Sequence, residues 1–113
     1  MSTVLSVKAL FEPVRSLAFG SIGAAYMGVG LPLNNPIRNF FIQNLTDVPV
    51  MFSFNGVDDN FPLPANGFFV LDITTNKSQD VGLYIAEGSR LYVKQLSGAP
   101  SKGAVYFSVI YGA

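Results

Sequence analysis

Few side chains in this sequence of 113 residues have the types and spacing that chemistry needs. Asp58-Asp59-Asn60 sets two carboxylates and an amide side by side, an oxygen cluster of the kind Ca²⁺ favours. The triplet lacks the spacing and the distal acidic ligand of a calcium loop, so a polar loop tip that keeps a hairpin soluble is the simpler expectation. Adjacent carboxylates in a turn do not straddle a glycosidic bond. Lys77, Lys94 and Lys102 stand without a nucleophile elbow or a Ser-x-x-Lys pattern to activate. Asn44-Leu45-Thr46 matches the glycosylation acceptor pattern, a triplet that also arises by chance. Gly20, Gly23, Gly28 and Gly30 lack the Lys or acidic partner that a phosphate loop or dinucleotide fingerprint requires. Their expected role is close backbone approach or strand twist. The chain has no Cys, His or Trp, which excludes disulfide frameworks, thiolate or imidazole metal sites, and Ser-His-Asp or Cys-His catalysis. The expectation is a protein with no catalytic residue, no cofactor and no metal.

Charge points the same way. Half the residues are hydrophobic and only 12% are charged, about half the share of an average soluble domain. Seven basic residues balance seven acidic ones, so there is no basic face to displace counterions from nucleic acid. A neutral, charge-poor particle tends to associate, and much of this surface is expected to face a partner. The uncharged stretch from Ser16 to Ile37 is broken by four glycines and Pro32, and reads as a buried strand or interface segment, not a membrane span.

The elements that must position these residues are short. Eleven Gly and seven Pro cut the chain into pieces whose hydrophobic period is near two. Val105, Phe107, Val109 and Tyr111 share one face of the last piece. Leu91 and Val93 alternate with Arg90, Tyr92 and Lys94, and Val48, Val50, Phe52 and Phe54 alternate with Pro49, Met51, Ser53 and Asn55. Two segments are apolar on both faces. Ile37 and Phe41 oppose Phe40 and Ile42, and Phe69, Leu71 and Ile73 oppose Phe68 and Val70. Strands of that kind lie inside a sandwich and beneath a neighbouring subunit. Asn55-Gly56 and Asn66-Gly67 supply the positive φ of tight turns. The pattern predicts one all-β domain over residues 1–113, an antiparallel β-sandwich or jelly roll of seven or eight short strands. Phe41, Phe52, Phe54, Leu91, Val93, Phe107 and Val109 form its expected core.

From Phe41, FIQNLTDVPVMFSFNGVDDNFPLPANGFFVLDITTN, with LYIAEGSRLYVKQLSGAPSKGAVYFSVIYG behind it, resembles small virion proteins of tailed bacteriophages. The likeness lies in a strand ending at Asn44-Leu45-Thr46-Asp47, a Phe-Ser-Phe-Asn-Gly hairpin, Leu63-Pro64-Ala65 before a strand ending at Asp72, and a closing strand from Gly103 to Tyr111. The nearest functional match is the jelly-roll cement, or decoration, proteins of short-tailed phages. The resemblance covers about residues 36–111. It implies a protein made in the bacterial host cytoplasm that binds the capsid exterior and bridges subunits of the major capsid protein. It implies no catalytic residue. A head–tail connector or tail component, and a carbohydrate-binding β-sandwich, are the alternatives.

Residues 1–19 fit neither a clean helix nor a clean strand, and Pro13 interrupts both. They are expected to form an extended interface arm, with Val4, Leu5, Val7, Leu10 and Phe11 as partner-binding residues. Phe61, isolated between Asn60 and Pro62, is the other expected anchor. The partners expected are the capsid protein and further copies of this chain as a dimer or trimer, with neither nucleic acid nor membrane.

Overall fold

A computed structural model describes residues 9–72 and 84–112. Among the described residues nine strands fall into two antiparallel sheets packed face to face, with one 3₁₀ turn between strands. In chain order the strands are β1 (Ala9–Phe11), β2 (Arg15–Ala18), β3 (Met27–Gly28), β4 (Asn39–Asn44), β5 (Val50–Ser53), β6 (Phe61–Leu63), β7 (Phe68–Asp72), β8 (Tyr92–Gln95) and β9 (Ala104–Gly112). One sheet runs β1–β9–β4–β7, with β2 continuing β1 along the same edge of β9; the other runs β3–β8–β5–β6. The all-β sandwich expected from the period-two pattern is therefore the architecture observed. No helix among the described residues is long and apolar enough to cross a membrane.

The core lies between the sheets. Phe40 and Ile42 from β4, Val105, Phe107 and Val109 from β9, Val50 and Phe52 from β5, and Leu91 with Val93 at β8 are all buried. Rings bind the layers: Phe107 meets Phe40 at 5.7 Å and Phe54 at 6.0 Å, both edge-on, the geometry that ring quadrupoles prefer. Two expected core residues need correction. Phe54 is half-buried at the core margin. Phe41 points out of the sandwich, where it meets Phe68 at 5.9 Å. Asn39–Asn44 alternates inward at Phe40, Ile42 and Asn44, so Phe41 falls on the opposite face. Ile37, grouped with Phe41 by spacing, is buried beyond the strand end, where it bridges Ile85.

The N-terminal expectation also needs correction. Residues 9–18 are not an arm standing off the domain but two strands of its own sheet, paired to β9. Phe11 lies opposite Ile110 and Arg15 opposite Phe107, so β1–β2 carries one residue more than the β9 segment it faces. This is a β-bulge, and Pro13, which has no N–H to donate, sits within it. Val4, Leu5 and Val7 lie outside the described residues.

Close backbone approach fixes two glycines. Gly103 has φ of +89°, and a Cβ there would overlap the Leu45 carbonyl oxygen. Gly30, at φ +70°, lets the Arg15 stem pass with no room for a side chain.

Candidate functional site

The two outer faces of the sandwich differ in chemistry. Opposed residues in antiparallel strands share a face, so the registers define the outer side of the five-stranded sheet row by row. One row is Phe11–Ile110–Asn39–Asp72, the next Ser108–Phe41–Val70, the third Ser16–Tyr106–Gln43–Phe68. Val14 stands beside the middle row at the bulge. Among the described residues in these rows Asp72, at the corner, carries the only charge. Phe11 is 69% exposed, Phe68 65%, Val14 60% and Val70 56%. The face thus exposes large apolar side chains, with Asn39, Asp72, Ser108, Ser16 and Gln43 scattered among them.

The outer side of the four-stranded sheet is polar. The Tyr26 hydroxyl donates to Asp59 Oδ1 at 2.6 Å, Lys94 Nζ sits 3.1 Å from the same oxygen, and Lys94 lies 4.7 Å from the Tyr26 ring centroid. Burial, then the hydrogen bond to Asp59 and the charges of Asp59 and Asp58, push the Tyr26 hydroxyl well above its ordinary pKa. The Tyr26 hydrogen bond, then Lys94, holds the Asp59 carboxyl below its usual value. Nearby, Arg90 lies 5.8 Å from the centroid of the Tyr92 ring. A shallow depression of ≈470 Å³ opens beside Asp59, Lys94, Gln95 and Ser97. Its acid and its base are engaged with each other, and its tyrosine is held protonated. The cluster neutralises and orders charge at a surface that water reaches.

The Asp58-Asp59-Asn60 triplet is not brought together around a common point. Asp58 accepts from Asn55 Nδ2 at 2.8 Å, Asp59 faces Tyr26 and Lys94, and Asn60 Oδ1 accepts from the Phe54 N–H at 2.7 Å. Each oxygen closes a turn or an ion pair, as a polar loop tip would. Among the described residues no three metal-ligating side chains cluster. The Asn44-Leu45-Thr46 triplet is likewise structural. Asn44 is wholly buried; its Nδ2 donates to the Val48, Leu63 and Pro64 carbonyls, and its Oδ1 accepts from the Thr46 N–H and hydroxyl. An amide in that position is closed to a glycosylating enzyme.

Of the expected anchors, Leu10 and Phe11 are placed in β1. Phe11 is exposed on the apolar face and Leu10, opposite Tyr111, lies at the sandwich rim. Phe61 is no free anchor: its ring stacks on Phe52 at 5.4 Å and meets Phe69 at 4.9 Å, bridging the two sheets. Spacing alone did not reveal the pair that fastens this edge. Arg15 Nη2 donates to Glu12 Oε1 at 2.6 Å, both side chains being almost fully buried. Arg15 also donates to the Leu31 and Pro32 carbonyls, and Glu12 accepts from the Asn34 N–H and Asn35 Nδ2. Burial alone would raise the Glu12 carboxyl. The hydrogen bonds from Asn35, Arg15 and Asn34, with the Arg15 charge, hold it below its ordinary value instead.

No protein-family model matches the chain, and no curated protein is similar to it in sequence.

Proposed function

We propose that this chain is a structural virion protein: a cement, or decoration, subunit that seats its apolar sheet face on a phage capsid and turns its polar face to solvent. The observation that carries the reading is the contrast between the two outer faces. In the described rows around Phe11, Val14, Phe68 and Val70 the only charge is Asp72 at the corner, whereas the opposite side gathers Tyr26, Asp59, Lys94 and Arg90. A particle that binds with one side and meets water with the other needs that division. The strand orders also support a jelly-roll reading, an architecture shared by viral capsid and lectin domains. Tyr26, an aromatic set among polar groups, is capped by Lys94 and so makes a poor platform for a sugar ring.

Magnitudes favour many copies over one. Taking about 150–250 Å² for a whole aromatic side chain, the four exposed residues leave roughly 400 Å² of apolar surface in water. At about 25 cal/mol per Å² its burial yields ~10 kcal/mol gross, comparable with the ~4–15 kcal/mol lost on association. A single seat is weak, and repetition over a shell makes it effective. A protein that binds only the assembled shell stabilises it by its binding free energy at every copy.

The test is binding of the purified chain to capsid shells, followed by co-sedimentation, with Phe11→Asp and Val14→Asp as the perturbation. Retention of the wild type and loss of the double variant are expected. Equal retention of both would exclude this face. Stoichiometry close to that of the major capsid protein supports decoration, and a single ring per particle would move the chain to a connector or tail.

A further inference from the structure

We propose that β7 is a dimerisation edge: a second copy of this chain adds its own β7, antiparallel, about a twofold axis at Phe69. The backbone phase shows the edge to be available. The Asn44 N–H donates to the Gly67 carbonyl at 2.8 Å, and Ile42 lies opposite Phe69 and Phe40 opposite Leu71. Residues 67, 69 and 71 therefore turn their N–H and C=O groups to β4, and Phe68 and Val70 turn theirs away from it. Among the described residues no strand takes up that side of β7.

Every other sheet edge is guarded. The β1–β2 edge carries Pro13 in a bulge, β6 carries Pro62, and β3 is only two residues long. Proline, bulges and short edge strands are the devices by which proteins prevent unwanted strand pairing. Phe68-Phe69-Val70-Leu71 has none of them, and no charge. An edge left open beside three guarded ones is one that is used.

A second copy is the occupant that fits. The edge is uncharged from Phe68 to Leu71, with Asp72 only at its end, so a charged peptide gains little from it, and a chain of zero net charge does not repel itself. With Phe69 opposite the partner's Phe69, Phe68 lies opposite the partner's Val70 and the reverse, two aromatic–β-branched pairs joined by backbone hydrogen bonds. The register leaves Asp72 beyond the apolar stretch on both sides. At the sandwich rim, Phe69 already meets Phe61 at 4.9 Å, so the pairing continues an existing aromatic row across the axis. It also unites two apolar outer faces into one continuous surface. Two seats joined in this way bind a repeating lattice with avidity that one lacks. The dimer does not depend on what that surface binds.

Sedimentation of the full chain from about 1 to 100 μM tests the inference. A dimer is expected for the wild type. Val70→Pro removes an N–H that bonds outward and not to β4, so a folded monomer is expected, with an unchanged circular dichroism spectrum. Should that variant fail to fold, Val70→Lys decides, and it too should be monomeric. The chain has no cysteine, so Phe69→Cys gives a clean reporter that should form a covalent dimer on oxidation. A monomeric or trimeric wild type, a folded Val70→Lys dimer, or no cross-link at Cys in place of Phe69 would each overturn the proposal. Phe11→Asp lies on the far edge and should leave the dimer intact, so loss of shell binding and loss of dimerisation are read separately.

Discussion

Asn44→Ala should be among the most damaging polar truncations in the protein. Asn44 stands at the end of β4 with no exposed surface, and its amide ties three segments together: the 44–48 loop, the end of β6 and the turn that leads to β7. Alanine leaves the Thr46 N–H without its acceptor at 3.1 Å and takes the Asn44 donor from the Leu63 and Pro64 carbonyls, of which Pro64 keeps the Gly67 N–H at 2.9 Å. A buried group so orphaned costs about 1–3 kcal/mol, and the Thr46 hydroxyl offsets part of this by turning to Val48 O. The net loss is ~3–4 kcal/mol, a large part of the ~5–15 kcal/mol that stabilises a typical domain. For a chain of this size that corresponds to a fall in Tm of roughly 10–20 °C, measurable by circular dichroism. A fall below about 3 °C would refute the assignment of Asn44 as a buried hub. Asn44→Asp sharpens the test. Its carboxylate would face three carbonyl oxygens, so its folded pKa must rise above the ordinary aspartate value. A raised folded pKa means that stability is lost as pH rises, so the gap to wild type should widen from about pH 4 to 7. A narrowing gap would show that the amide is turned the other way.

Two further outcomes follow from the core and its buried ion pair. Phe107→Ala removes a fully buried ring between Phe40 and Phe54, and its urea unfolding should show a loss of about 3–5 kcal/mol. Glu12 has a depressed pKa when folded, so its stabilisation is complete above the ordinary glutamate value and fades as pH falls through the folded value. Acid titration of Tm should therefore be steeper for wild type than for Glu12→Gln, which should itself lose ~3 kcal/mol at neutral pH by leaving Arg15 buried without its counter-charge.

How far the sequence could be read depended on whether one periodicity governed a segment. Val105, Phe107 and Val109 alternate with polar or smaller residues, and so do Leu91 and Val93, so one face was assignable without a structure. The segment 37–45 offers two apolar faces, Ile37 and Phe41 against Phe40 and Ile42, and no count of its residues can decide between Phe40 and Phe41. The decision comes from β7, whose register brings Phe68 and Val70 to the same outer side as Phe41. The double apolar pattern did signal that these strands carry apolar side chains on their outer face, as Phe68 and Val70 do. Residues 9–18 defeated the method for another reason: a bulge interrupts the period, so neither a strand template nor a helix template fits across it. Glu12 and Arg15 escaped notice because residues three apart lie on opposite sides of a regular strand. Asn44 was hidden by its own context, since Asn-Leu-Thr reads as a surface acceptor when burial is unknown.

The extra residue at Pro13–Val14 works as a sidedness switch in the chain. Before it, even-numbered Leu10 and Glu12 face inward; after it, odd-numbered Arg15 and Leu17 do, opposite Phe107 and Val105. Removing Val14 would restore uninterrupted alternation, with Glu12 opposite Val109, Pro13 opposite Ser108 and Arg15 still opposite Phe107, so Arg15 and Leu17 would keep their inward side. Flattening the bulge while keeping all its residues would instead reverse every position of β2 at once, strip the 31–35 loop of its cation, and set a guanidinium in the middle of the apolar face. Point substitutions along this edge act one residue at a time, whereas the bulge sets the sidedness of all of β2 together.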